Sequence, residues 1–94
     1  MLFEWDNNKN DKNIDKHGID FSDAVTIFDD DERIEAVDGR NDYGEERIQV
    51  IGEAKPGVLM VVYTWRKNNT YRRIISARTA SQRERSLYYS MKDK

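Results

Sequence analysis

The run Val58-Leu59-Met60-Val61-Val62-Tyr63-Thr64-Trp65 constrains this chain more than any other segment. Uncharged and rich in β-branched and aromatic side chains, it suits the central strand of a sheet covered on both faces, where alternate side chains all meet apolar surroundings. It is far too short to span a bilayer. Ile34 and Ala36, then Ile48 and Val50, alternate with charged or polar neighbours as strands do, and 71–78 supplies a further strand. Connections at 38–44, 52–57 and 66–70 are short and carry Gly, Pro, Asn or Asp, so the strands form a meander. Ahead of them lie a short strand over 2–5 and a polar helix over 6–17. Asp6 or Asn7 caps that helix, Gly18 ends it, and Ile14 is its main apolar residue. Phe21, Ala24, Val25 and Phe28 share one face of a second helix, capped by Asp20 or Ser22. A last helix opens on Ser81-Gln82-Arg83-Glu84, a capping-box pattern, with Ala80, Leu87, Tyr88 and Met91 as its stripe. The expectation is an α+β fold in one domain over 1–94: two N-terminal helices, an antiparallel sheet of about four strands and a C-terminal helix.

Charge is divided along the chain. Residues 1–54 hold 6 Lys/Arg against 16 Asp/Glu, a net −10, whereas residues 55–94 hold 10 against 2, a net +8. The division fits a basic surface for a polyanion, or two halves that neutralise each other across the fold. There is no cysteine, which excludes disulfides and thiolate zinc sites and points to a reducing compartment, the cytoplasm. The N-terminus, with Glu4 and Asp6, lacks a basic signal-peptide region, so neither export nor a membrane is implied.

His17 is the sole histidine and a candidate proton donor or acceptor. Before Gly18 it equally suits bonding the last helix carbonyls. Arg66, Arg73, Arg78, Arg83 and Arg85 would make a phosphate clamp if strand and helix start converge, since a guanidinium fork binds two phosphate oxygens; solvated surface charge is the plainer use. Arg73 and Arg78, five apart, face opposite sides of a regular strand, so sharing one site requires a bulge or bend. Trp5, Tyr63 and Trp65 are candidates to stack on unpaired bases, or core. The capping box accounts for Glu84. Asp29, Asp30 and Asp31 with Glu32 are consecutive, diverge and have no glycine-bearing calcium loop, so they read as a turn. No metal motif, phosphate-binding glycine loop or nucleophile elbow is present, and no cofactor is expected.

These residues form ordered blocks that resemble one family. Glu4-Trp5-Asp6, Lys9, Asn13, Lys16-His17-Gly18-Ile19, Phe21, Ala24 and Phe28 are similar to the N-terminal signature of BrnT toxins. Arg47, Ile51-Gly52, Val61-Val62-Tyr63-Thr64, Arg66, Arg73-Ile74-Ile75-Ser76-Ala77-Arg78, Ala80, Glu84-Arg85 and Tyr88 continue the likeness to about residue 89. The chain departs from the pattern where Asp29 to Asp31 replace a shorter acidic-proline turn, and where Lys67 stands in place of a usual glycine.

The resemblance implies a RelE-like fold and a toxin that cleaves RNA and stops translation, with the RNA 2′-hydroxyl as nucleophile and no metal. A BrnA-like ribbon-helix-helix antitoxin would neutralise it, and the pair would bind operator DNA through the antitoxin. Carried over residue by residue, His17 becomes an acid/base, Lys9 and Arg66 phosphate or transition-state contacts, and Arg78 the clamp, all catalytic candidates. Trp5, Tyr63, Arg73 and Arg83 become RNA-binding candidates. The alternative is a non-catalytic partner that serves only as the antitoxin's corepressor.

Overall fold

The structure, a computed structural model, describes residues 1–39 and 44–92. Along the chain come β1 (Leu2–Glu4), α1 (Asn7–His17), α2 (Phe21–Ala24) continued by a 3₁₀ turn (Val25–Asp29), β2 (Ile34–Asp38), β3 (Arg47–Ala54), β4 (Gly57–Arg66), β5 (Tyr71–Thr79) and α3 (Gln82–Lys92). Strands β2 to β5 form the expected antiparallel meander, with β4 third in the order β1-β5-β4-β3-β2. The sheet nevertheless has five strands rather than four, and it is mixed, because β1 joins β5 in parallel through Leu2↔Tyr71, Phe3↔Arg72 and Glu4↔Arg73. That pairing links residues about 70 apart in sequence, beyond the reach of any local pattern. The expected hairpin over 38–44 includes residues 40–43, which lie outside the described residues.

The helix termini follow from their caps. Asp6 Oδ1 accepts from the Asn8 and Lys9 amides at 2.8 and 3.3 Å, and Gly18 closes α1 at φ 72°, its amide donating to the Ile14 carbonyl at 2.8 Å. Ile14, the main apolar residue of α1, is 37% exposed, and the buried residue of the helix is Asn13. Its Nδ2 donates to the Ile19 and Ala77 carbonyls at 2.9 and 2.8 Å, and its Oδ1 accepts from the Ala77 amide at 3.1 Å. The amide thus bonds the outer edge of β5 as a neighbouring strand would, beyond the end of β1.

One face of the sheet carries the larger core. Phe21, Ala24, Ile27 and Phe28 pack on Ile48, Val50, Leu59, Val61, Tyr63, Ile74 and Ala77. Ile27 takes the place expected of Val25, because the helix tightens to 3₁₀ from Val25 onward and the i+4 spacing no longer applies. Gly52, expected in the loop before Gly57, lies inside β3 under this turn: a Cβ there would meet Arg33 Cβ at 2.9 Å and Ile27 Cγ1 at 3.0 Å. The opposite face holds a smaller cluster of Ile51, Val58, Met60 and Ala80 closed by Tyr88 of α3. Leu87 and Met91, expected in the buried stripe, are 47% and 48% exposed. The apolar strand β4 is therefore covered on one face along most of its length and on the other only over its first half.

Candidate functional site

The geometry of the site begins with an irregularity in β5. Val62 pairs with Ser76, but Tyr63 pairs with Ile74, so Ile75 is an extra residue bulged out of the ladder. The bulge reverses the side-chain alternation between Ser76 and Ile74. Arg78 lies opposite Met60 and Arg73 opposite Thr64, and Met60 and Thr64 are four apart on one strand. Both arginines and Ser76 thus share the α3 side of the sheet, the condition that a regular strand would have forbidden.

Against this bulged edge, α1 sets a pocket of about 220 Å³ lined by Lys9, Lys12, Asn13, Lys16, His17, Ile75 and Ser76. Helical periodicity explains its charge. Lys9, Lys12 and Lys16 fall on one side of α1 with Asn13, while Asp11 and Asp15 fall on the other. The acidic first half of the chain therefore presents three cations together on this helix. His17 is half-buried there and Asn13 fixes the helix against Ala77. Among the described residues no hydrogen bond engages the Ser76 hydroxyl, and no group of three His, Cys, Asp or Glu side chains could hold a metal ion.

The arginines are held by carboxylates. Arg78 makes a two-pronged pair with Glu84 at 2.7 and 2.9 Å. Glu84 Oε1 also accepts from the Ser81 amide at 2.8 Å, and Ser81 Oγ accepts from the Glu84 amide at 3.2 Å, completing the capping box. The Arg78 guanidinium, followed by the Ser81 contacts and against the cost of burial, brings the Glu84 carboxyl down to about 2; Glu84 in turn raises Arg78. Arg73 pairs with Glu4 of β1 at 2.7 Å. Arg66 shares the face of Arg73 and Arg78, diagonal to Arg73, but it lies six residues along β4 from the partner of Arg78. At about 3.3 Å per residue that is roughly 20 Å, so Arg66 and Arg78 do not hold one phosphate. Arg83 is exposed in the first turn of α3.

Of the aromatic candidates Tyr63 is buried, and Trp5 and Trp65 are half-buried. Tyr63 is 2% exposed, edge-on to Phe28 and Trp65, and its hydroxyl donates to Glu35 Oε1 at 2.6 Å. Burial and the bond to Glu35 raise its pKa, with Arg72 opposing. Trp5 is half-buried and packs edge-on to Phe21 at 6.0 Å. The enclosed Tyr63 ring offers no free face for stacking. Arg72, which the sequence did not single out, lies 4.4 Å from the Phe28 and Trp65 ring centres and 5.3 Å from Tyr63, a cation–π nest on the larger core. Lys12, Lys16 and Ser76, which also line the pocket, were not among the candidate site residues. The lysine spacing of three and four was legible; the bulge that admits Ser76 was not.

Residues 5–84 match a family described as the ribonuclease toxin BrnT of type II toxin–antitoxin systems. The chain belongs to this family. The match covers most of the chain, including α1, the bulged β5 and the start of α3. A ribonuclease toxin of this class has a protein antitoxin as partner. No curated protein matches the chain. Among the described residues no helix is long and apolar enough to cross a membrane.

Proposed function

We propose that this chain is a single toxin domain over residues 1–94 that cleaves RNA internally without a metal ion and so inhibits translation. The observation that carries this reading is the pocket at the β5 bulge, where the one imidazole of the chain meets Lys9, Lys12 and Lys16 beside a strand edge flanked by Arg73 and Arg78. In the proposed step the RNA 2′-oxygen attacks the adjacent phosphorus, its proton leaves to a base, and the P–O5′ bond breaks as the 5′-oxygen takes up a proton. The products are a 2′,3′-cyclic phosphate and a 5′-hydroxyl. His17 moves a proton and Lys9 stabilises charge on the phosphoryl oxygens. Arg73 and Arg78, fixed in place by Glu4 and Glu84, contact the chain on either side of the cut, and Arg66 a more distant phosphate.

The same reading has a RelE-like fold, a cytoplasmic location and neutralisation by a BrnA-like ribbon-helix-helix antitoxin, through which the pair binds operator DNA. Purified protein should cleave RNA in EDTA-containing buffer and arrest growth when expressed without antitoxin. His17→Ala should lower cleavage by about 10²- to 10⁴-fold while leaving the fold intact. Intact RNA together with normal growth would sink the proposal. One observation favours a second reading, a corepressor without catalysis: Arg73 and Arg78 already have carboxylate partners. In that case wild type and His17→Ala would be equally inert on RNA while both bound the antitoxin.

A further inference from the structure

We infer that the α1–β5 pocket is a subsite for one phosphate and its ribose, gripped by Lys12, Lys16 and the Ser76 hydroxyl, and that it does not read the base. The inference rests on the ribonuclease reading and names what this site takes.

Size comes first. At about 220 Å³ the pocket is smaller than the roughly 300–1,000 Å³ of pockets that enclose whole drug-sized ligands, so its walls contact a phosphate and part of its sugar rather than a whole nucleotide. Chemistry comes second. The lining offers three ammonium groups, one imidazole and one hydroxyl, all able to donate to phosphate oxygens. The one side chain of the lining with the paired donor and acceptor that reads a base edge is Asn13. Its amide is spent on Ile19 and on both backbone groups of Ala77. Ser76 remains: half-buried, lining the pocket from a bulged strand, its hydroxyl engaged by no hydrogen bond among the described residues. With no protein partner among those residues, this hydroxyl is free to donate to a tetrahedral oxyanion.

Lysines act as point charges, so the grip depends on salt and tolerates any sequence. Uridine 3′-monophosphate, adenosine 3′-monophosphate and the two parent nucleosides should be titrated into the full chain and followed by amide chemical shifts. Both nucleotides are expected to shift Ser76 and the α1 residues with affinities within about 3-fold of each other, and both nucleosides to leave them unmoved. Lys12→Gln with Lys16→Gln should flatten the log–log salt slope for an uncleavable 2′-O-methyl oligoribonucleotide by roughly 1.4, at about 0.7 per single-strand contact. Lys12→Arg with Lys16→Arg should restore it, which a purely structural role would not predict. Ser76→Ala should weaken the nucleotides several-fold.

Nucleosides that bind as well as nucleotides, or a preference above 10-fold between the two bases, would overturn the inference. So would nucleotides that shift only residues away from the pocket. If RNA stays intact yet both nucleotides bind here, the ribonuclease reading fails and the subsite stands. If RNA is cut while the pocket ignores phosphate, the reverse holds.

Discussion

On one side of the sheet Tyr63 lies under Phe28 with its hydroxyl bonded to Glu35, Arg72 fills the space between Phe28 and Trp65, and α2 with its 3₁₀ turn covers β3 and β4. On the other side α3 touches the sheet mainly through Tyr88, whose hydroxyl donates to Asp30, and leaves Leu87 and Met91 largely in solvent. Burial pushes the Asp30 carboxyl up, but the Tyr88 hydroxyl, the Glu53 and Glu32 amides and Lys92 outweigh it and hold Asp30 low; burial and Asp30 raise Tyr88. The first side is closed by apolar area and aromatic contact. The second is pinned at a few polar points, and half of it remains as a surface of polar and cationic side chains. A sheet can therefore be made stable from one face while the other is left available for a ligand, provided that the first face carries most of the core.

Four variants test that contrast. The largest effect is expected from Tyr63→Ala, which empties a fully enclosed site on the closed face and removes one contact each from Glu35 and Arg72. Chemical denaturation should register a loss of about 3–5 kcal/mol. A loss below 1 kcal/mol would mean that the closed face does not carry the fold. Glu84→Gln, on the pinned face, removes the charge that pairs with Arg78 while leaving an oxygen for the capping box, for about 1–2 kcal/mol.

That variant also has a pH signature. Glu84 titrates near 2 in the folded chain against an ordinary 4.5, so its stabilisation is complete above 4.5 and drains away as pH falls toward 2. The variant should lack this part of the acid limb, leaving its deficit largest at neutral pH and smallest in acid. An unchanged acid profile would show that Glu84 is not the group responsible.

A gain is expected at Lys67. Lys67, Asn68 and Asn69 all take left-handed φ values, 54°, 57° and 65°, and Lys67 is the residue that replaces the glycine usual in the family pattern. Lys67→Gly should stabilise by about 0.5–1 kcal/mol, reduced by loss of the contact between its ammonium and the Tyr71 ring at 4.6 Å. Thermal melting reads the sign, and a drop in melting temperature would make the ring contact the stronger effect. The smallest change is expected on the outer flank of α3: Leu87→Ser with Met91→Ser should stay within about 0.5 kcal/mol. A loss of 2 kcal/mol would place these side chains in a packed interface rather than in solvent.

Much of the fold was legible because its signals are local. The Asp6 and Ser81 caps, the Gly18 stop, the change from helical to strand periodicity at Arg33 and the apolar β4 run each depend on residues a few positions apart. The site was legible in its ingredients and not in its assembly. His17 and Lys9 do meet in one pocket, whereas Arg66 stands well away from Arg78, and Tyr63 is core. Charge counted along the chain misled in a specific way: the pocket takes its lysines from the acidic half, because a helix sorts side chains by angle rather than by order.

By itself the sequence determined which segments form helices and strands, and in what order, since propensity, capping and periodicity act within a turn or two of chain. Only the tertiary structure decided that β1 pairs with β5, that Ile75 bulges and brings Arg73 and Arg78 to one face, and that Asn13 rather than Ile14 is buried. The β1–β5 pairing and the Asn13–Ala77 contact join residues more than 60 positions apart, and the bulge follows from the register of β5 against β4; register and steric fit are settled jointly by the whole core, and no local pattern carries the answer.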